Sequence, residues 1–225
     1  AIAIFPILSL QAAKKDLQAL CQTISQGLCC VVFIAAPATA GLLLVGKPLV
    51  STLFERGQFG SKDAAITAGV LSFYALGLCG YFAQQVLIRA FYSLADSKTP
   101  TKSALLAVMT NIVLNLTLIW FMKTKGLAAS TALCSYLQVT ILGIALYHRL
   151  GPTILNDLVS TAIKSIIATL CMSFVVIGTL ALLEDYSNIF KLLLIVPLAI
   201  TVYILSAKLL GIKALSLLIK VKHEK

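Results

Sequence analysis

A run of about 25 residues without a formal charge, residues 64–88, places the strongest constraint on how this chain can fold. At a rise of 1.5 Å per residue, a helix of that length spans roughly 37 Å, which exceeds the ~30 Å hydrocarbon core of a bilayer. A buried helix of a soluble protein is rarely so long and so free of charge. The run therefore predicts a transmembrane helix with a polar turn at each end.

The composition extends this prediction to the rest of the chain. Of the 225 residues, 60% are hydrophobic and only 12% are charged, whereas soluble domains carry about 25% charged residues. The mean hydropathy is +0.99, and no hydrophilic stretch is long enough to form a soluble domain. We therefore predict an all-α fold, a polytopic integral membrane helical bundle.

Turn residues and helix breakers divide the chain into six complete transmembrane helices plus the end of another. Residues 1–8 are predicted to end a span, so we expect the chain to be the C-terminal part of a longer protein. A long helix over residues 17–45 should be kinked at Pro37 and broken at Gly46, and a short helix should follow from Pro48. The remaining spans are predicted at residues 64–88, 102–122, 127–147, 158–183 and 189–210.

The span at residues 127–147 is rich in small side chains. Ala128 and Ala132 lie four residues apart, as do Thr131 and Ser135. Small residues at this spacing share one helix face and let two helix backbones approach closely in lipid. We therefore expect this span to make a close contact with a neighbouring helix.

The positively charged residues predict the orientation. When successive connections are assigned to alternate sides of the membrane, starting from the C-terminus, twelve of the 18 Lys and Arg residues fall on one side and six on the other. Cytoplasmic loops are enriched in Lys and Arg, so the C-terminus and the loop at residues 96–100 are predicted to be cytoplasmic. The formal charge of +10 does not indicate nucleic-acid binding, because the cations are scattered over many loops and form no single basic face.

Two polar segments flank the central span and carry a recognisable pattern. It consists of Leu53-Phe54-Glu55-Arg56-Gly57-Gln58-Phe59, then Asp63-Ala64 and Thr67-Ala68, then Ala90-Phe91-Tyr92-Ser93 and Asp96-Ser97-Lys98-Thr99-Pro100. In order and spacing it resembles the MurJ (MviN) lipid II flippase family. That family belongs to the multidrug, oligosaccharidyl-lipid and polysaccharide exporter superfamily. The resemblance is specific over about 50 residues and looser over residues 6–150.

The resemblance implies a function. A lipid II flippase moves undecaprenyl-pyrophosphate-linked disaccharide-pentapeptide from the inner to the outer leaflet of the bacterial cytoplasmic membrane, for peptidoglycan synthesis. Two bundles that rock around a hydrated cavity would carry the polar head group across by alternating access. The implied partners are lipid II, membrane lipids and upstream transmembrane spans of the same protein, which hold most of the cationic cavity residues. No cofactor is implied.

The resemblance also divides the chain into two parts. Residues 1–150 would form a transport bundle, from the end of one span plus four spans. Residues 151–225 would add two C-terminal spans and a basic cytoplasmic tail. Those two spans are implied to form a hydrophobic groove for the lipid tail, and their uniformly apolar composition agrees with that role.

Two other functions remain open at this point. A sister exporter of another lipid-linked oligosaccharide or of drugs would share the bundle, whereas a non-transport membrane scaffold would not need polar residues facing one cavity. An enzyme is not expected, because the two histidines lie in loops and neither a nucleophile triad nor paired carboxylates are found. No metal site is expected either, since the six cysteines lie in apolar runs without ligand spacing.

Polar side chains inside the apolar spans are the candidates for the substrate path, because exposing them to lipid is costly. The candidates form three pairs. The two residues of each pair lie four positions apart and so share one helix face. For the amides the alternative is hydrogen bonding between helices without substrate contact. Arg89 could instead extend to the membrane interface, although its forked, permanently charged side chain suits a pyrophosphate. The pairs are Gln22 with Gln26, Gln85 with Arg89, and Asn111 with Asn115.

The corner at Glu55, Arg56 and Gly57 supports two interpretations. It can be a solvated turn in which Gly57 supplies a permissive backbone. It can also be an outer gate, in which an ion pair of Glu55 with Arg56 breaks when the cavity opens outward. The sequence favours the turn but leaves the gate open.

Overall fold

The chain folds into a bundle of α-helices without strands over residues 5–155 and 157–215, the part that the computed structural model describes. A short 3-10 helix at Pro152–Leu155 joins the fifth helix to the sixth. The predicted all-α class is therefore confirmed. The helices of the described part are α1 (Phe5–Ala13), α2 (Leu17–Phe54), α3 (Ser61–Ser93), α4 (Lys98–Met122), α5 (Thr124–Leu150), α6 (Leu158–Leu182) and α7 (Asn188–Leu209).

Six of these helices, α2 to α7, are long and apolar enough to cross a membrane. The nine residues of α1 are too few to span a bilayer, which takes about 20 residues. Six complete spans plus the end of another were predicted, and the described residues agree. The basic tail predicted at residues 220–225 lies outside them.

The break predicted at Gly46 is wrong, because α2 runs without interruption for 38 residues. Gly46 is buried, and a Cβ on it would meet Leu71 of α3 at 3.7 Å. Tertiary packing of this kind commonly overrides the low helix propensity of glycine. As a consequence, Pro37 and Pro48 both lie inside one helix, and each removes a backbone N–H from it.

Helix α3 makes a close contact with α5 through small residues, as the sequence predicted for α5. A Cβ added to Gly77 would lie 3.2 Å from the Cα of Ala132, and one added to Gly80 would collide with the Ser135 hydroxyl. Small side chains at these four positions let the two backbones approach. The contact is strengthened by Tyr136 of α5, whose hydroxyl donates to the Leu76 carbonyl of α3 at 2.7 Å.

Helix α2 connects two buried clusters. The first includes Leu20 and Ile24 of α2 and joins α1, α2, α3 and α5. The second includes Phe33 and Val45 of α2 and joins α2 to α6 and α7. The α6–α7 pair therefore packs on the rest of the bundle through α2.

Two ion pairs tie connections together at one end of the bundle. Arg149, at the end of α5, donates to Asp96 in the α3–α4 connection at 2.8 Å. Lys213, after α7, lies 3.3 Å from Asp157 at the start of α6. Bonds from the Thr99 N–H and hydroxyl, together with Arg149, hold the pKa of Asp96 below its usual value. The α3–α4 and α5–α6 connections and the segment after α7 thus lie on the same side, as alternating spans require.

Candidate functional site

A groove of about 650 Å³, lined by both apolar and polar side chains, opens at the end of the bundle where α2 begins. Three glutamines of α2, spaced four residues apart, contribute amide groups from successive turns, and hydroxyls come from the α5–α6 connection and α6. We call it the amide groove. Its polar lining consists of Gln18, Gln22, Ser25, Gln26, Thr153, Asp157, Thr161 and Lys213.

The polar groups of the amide groove carry no net charge. The two ionic groups in its lining are Asp157 and Lys213, which form an ion pair with each other. Carboxamides offer both donors and acceptors, and hydroxyls do the same. Such a lining suits hydroxyl and amide groups, the functional groups of sugars and peptides, better than it suits an isolated anion.

Gln85 and Arg89 lie elsewhere, on a face of α3 that the described helices leave open. Gln85 is exposed, and so are Phe82 and Tyr92 on the same stripe of the helix. Arg89 is half-buried, and its Nε is enclosed without a hydrogen-bond partner in residues 5–155 and 157–215. Neither ion pair of the described part includes Arg89. Its guanidinium therefore retains a donor that the described residues do not satisfy.

Asn111 and Asn115 lie between α4 and α5. The Asn115 amide donates to the Asn111 carbonyl oxygen at 2.9 Å, and the hydroxyl of Ser130, on α5, donates to the Asn115 carbonyl oxygen. This geometry is that of a hydrogen bond between helices, the alternative considered for these amides. A role for the two asparagines in the substrate path stays a prediction.

The five substrate candidates do not converge on one cavity of the described part. Gln26, with Gln22, lines the amide groove. Gln85 and Arg89 occupy the open face of α3, and the two asparagines bond at the α4–α5 contact. A common site would therefore have to be completed by residues outside those described.

The corner between α2 and α3 has the geometry of a turn. Glu55, Arg56 and Gly57 are exposed, and Gly57 has φ +58°, a left-handed conformation that favours glycine. The Phe59 N–H donates to the Arg56 carbonyl at 3.1 Å and closes the turn. Glu55 and Arg56 belong to neither ion pair found in the described residues. The gate interpretation stays a prediction.

One buried amide was missed by the sequence analysis. Gln138 of α5 is 5% exposed, and its amide lies 3.4 Å from the hydroxyl of Ser103 on α4. The criterion that selected Asn111, an amide inside an apolar span, would have found Gln138 as well. It adds a second polar contact between α4 and α5.

Six long apolar helices, packed through small residues and carrying a polar groove at one end, define an all-α polytopic membrane protein. A family model described as "Lipid II flippase MurJ" matches residues 1–208. The chain belongs to this family, and the resemblance found in the sequence is confirmed.

Similar proteins agree with this assignment. The chain is 33% identical over 142 residues to a "probable lipid II flippase MurJ" of Vibrio cholerae, covering 63% of this chain and 27% of that protein. It is 28% identical over 186 residues to the protein of the same description from Thermotoga maritima, covering 82% and 37%. The chain thus spans well under half the length of these relatives.

The fold matches that of a solved membrane protein. A structure titled "Lipid II flippase MurJ, inward closed conformation" superposes with a TM-score of 0.72 at 21% identity. The match covers 92% of this chain and 44% of the other. At that identity the likeness shows a shared fold.

Proposed function

We propose that this chain is the C-terminal portion of a lipid II flippase of the bacterial cytoplasmic membrane. The family match over residues 1–208 carries the proposal. The whole protein would move the polyprenyl-pyrophosphate-linked peptidoglycan precursor from the inner to the outer leaflet by alternating access, without a covalent step. A sister exporter of another lipid-linked oligosaccharide or of drugs would share the bundle, but the matched family model favours lipid II.

The open face of α3 supports a role for upstream spans. Arg89 has an unsatisfied donor, and Gln85 lies one turn away on the same face. Polar groups at membrane depth are stable when they face protein or a wet cavity. We propose that upstream spans of the same protein cover this face, and that Arg89 contacts the pyrophosphate there.

The α6–α7 pair would bind the lipid tail. An apolar hollow of about 340 Å³ lies between the end of α2 and the first half of α7, lined by Thr52, Leu193 and Pro197 among others. Large apolar side chains also point outward from both helices, such as Phe174, which is 81% exposed. These features support the tail-binding role but equally suit contact with ordinary lipid.

Depletion of the full-length protein tests the function. We expect lipid II to accumulate where an impermeant reagent added outside the cell cannot reach it, and to become accessible again when the wild-type gene is restored. Total lipid II, measured after lysis, serves as the control for synthesis. Unchanged accessibility after complete depletion would overturn the proposal.

The orientation is proposed with the C-terminus in the cytoplasm, and cysteine labelling tests it. Ser97, between α3 and α4, and Ser61, at the start of α3, are both exposed and lie at opposite ends of α3. In a variant whose native cysteines are replaced, Ser61→Cys should react with an impermeant maleimide added to intact cells. Ser97→Cys should react only after the membrane is permeabilised, and the reverse pattern would contradict the orientation.

A further inference from the structure

Pro37 leaves one backbone carbonyl of α2 without its usual donor. In an α-helix, the N–H of each residue bonds to the carbonyl four residues earlier, and proline has no N–H. The residue four positions before Pro37 is Phe33, in the middle of α2, so its carbonyl is the one that lacks a donor. Backbone groups at membrane depth need a partner, because lipid supplies none.

A tyrosine of α7 satisfies this carbonyl. The hydroxyl of Tyr203 donates to the Phe33 carbonyl oxygen at 2.6 Å, across 170 positions of sequence. The Tyr203 side chain is 6% exposed, and its ring packs 5.2 Å from the ring of Phe33. The bond is therefore shielded, and its donor and acceptor are also held by ring packing.

Two other hydroxyls of the described part also bond to carbonyls of a neighbouring helix, but in a different situation. Thr39 donates to the carbonyl of Ala75, and Tyr136 donates to that of Leu76. The residues four positions after Ala75 and Leu76 are Cys79 and Gly80, which keep their N–H groups. Tyr203 thus replaces a helix hydrogen bond whose donor is missing, whereas Thr39 and Tyr136 bond to carbonyls whose usual helix donors are present.

We infer that Tyr203 is a positioning residue, which fixes the α6–α7 pair in one register on α2 through the carbonyl that Pro37 frees. Because α2 joins the two buried clusters, this bond links the C-terminal pair to the point where α2 lacks a hydrogen bond and bends most easily. The consequence for transport rests on the proposed function. The bond itself does not.

A double-mutant cycle in the purified full-length protein tests the bond. Tyr203→Phe leaves the Phe33 carbonyl unpaired and should lower the apparent melting temperature by a few degrees. This corresponds to a roughly threefold to twentyfold change in stability, the range found for hydrogen bonds in bilayers. In Pro37→Ala, the alanine N–H can occupy the same carbonyl. In the Pro37→Ala background, Tyr203→Phe should therefore lower the apparent melting temperature by less than half as much.

Tyr136→Phe is the control, because it removes a hydroxyl that donates to the carbonyl of Leu76, and the residue four positions later, Gly80, keeps its N–H. Its shift should be the same in the wild-type and Pro37→Ala backgrounds. If Tyr203→Phe lowers the melting temperature by the same amount in the wild-type and Pro37→Ala backgrounds, the inference is overturned. It is also overturned if the Tyr203→Phe variant is as stable as wild type.

Flipping per protein molecule, at matched abundance and well below the melting temperature, separates positioning from stability alone. Tyr203→Phe should lower flipping severalfold, and adding Pro37→Ala should restore part of it. If the melting temperatures show the coupling to Pro37 but Tyr203→Phe flips at the wild-type rate, the positioning role is overturned. Absence of flipping by the wild-type protein, with the coupling intact, would overturn the proposed function and leave the bond established.

Discussion

Replacement of Arg89 by alanine should reduce lipid II flipping by about tenfold or more, since a hydrogen bond to a charged group contributes about 1.5–3 kcal/mol. Arg89 lies at the end of a long uncharged span, and its enclosed Nε has no partner among the residues described. A pyrophosphate arriving from the inner leaflet would supply an acceptor for the guanidinium. Arg89→Lys should restore only part of the activity, because lysine keeps the charge but not the fork of donors.

The measurement is complementation of a depletion strain at matched membrane abundance. Arg149→Lys is a suitable control, since Arg149 makes a single 2.8 Å bond to Asp96 that an ammonium can reproduce. We expect Arg149→Lys to support nearly normal growth. If Arg89→Lys grows as well as wild type, Arg89 only extends to the interface, and the head-group contacts must come from other residues.

Gly126→Ala should destabilise the bundle by about 1–3 kcal/mol, although alanine normally favours a helix over glycine. Gly126 lies in the first turn of α5, after the connection formed by Lys123 alone. A Cβ there would lie 2.6 Å from the carbonyl oxygen of Leu118 and 2.8 Å from its carbonyl carbon. These are backbone atoms of α4, so the clash cannot be relieved by a side-chain rotation.

Gly143→Ala provides the comparison within the same helix. Apart from its chain neighbours and the backbone of its own helix, no atom lies within 4 Å of the position that its Cβ would take, so helix propensity alone should act there. The melting temperature and membrane abundance of the two variants should change in opposite directions. A Gly126→Ala protein as stable as the Gly143→Ala protein would show that α4 and α5 are less tightly packed at this turn than the structure indicates.

Hydropathy predicted the number of spans well because it reports how much of each helix crosses the hydrocarbon. It predicted the ends less well. The apolar run at residues 64–88 became a helix at Ser61–Ser93, since polar residues outside the hydrocarbon can continue the helical hydrogen bonding. The helix break predicted from glycine at position 46 was wrong for a different reason, because contact with α3, which the local sequence does not show, keeps the helix intact.

The candidate site was less predictable because spacing identifies a helix face but not what that face meets. A spacing of four correctly placed Asn111 and Asn115 together, yet only the structure shows Ser130 beside them. The amide groove could not be anticipated either. It needs Gln26 and Lys213, which are close only after α6 and α7 have packed on α2.

The bond between Tyr203 and the Phe33 carbonyl has a consequence for biosynthesis. The ribosome makes Phe33 170 residues before its partner, an interval of roughly 10–30 s at about 5–20 residues per second. During that time α2 would enter the bilayer with a backbone acceptor that no neighbour yet satisfies. Complete assembly of α2 therefore waits for α7, and nascent chains released before Tyr203 would present an unfinished α2 to the proteases that survey the membrane.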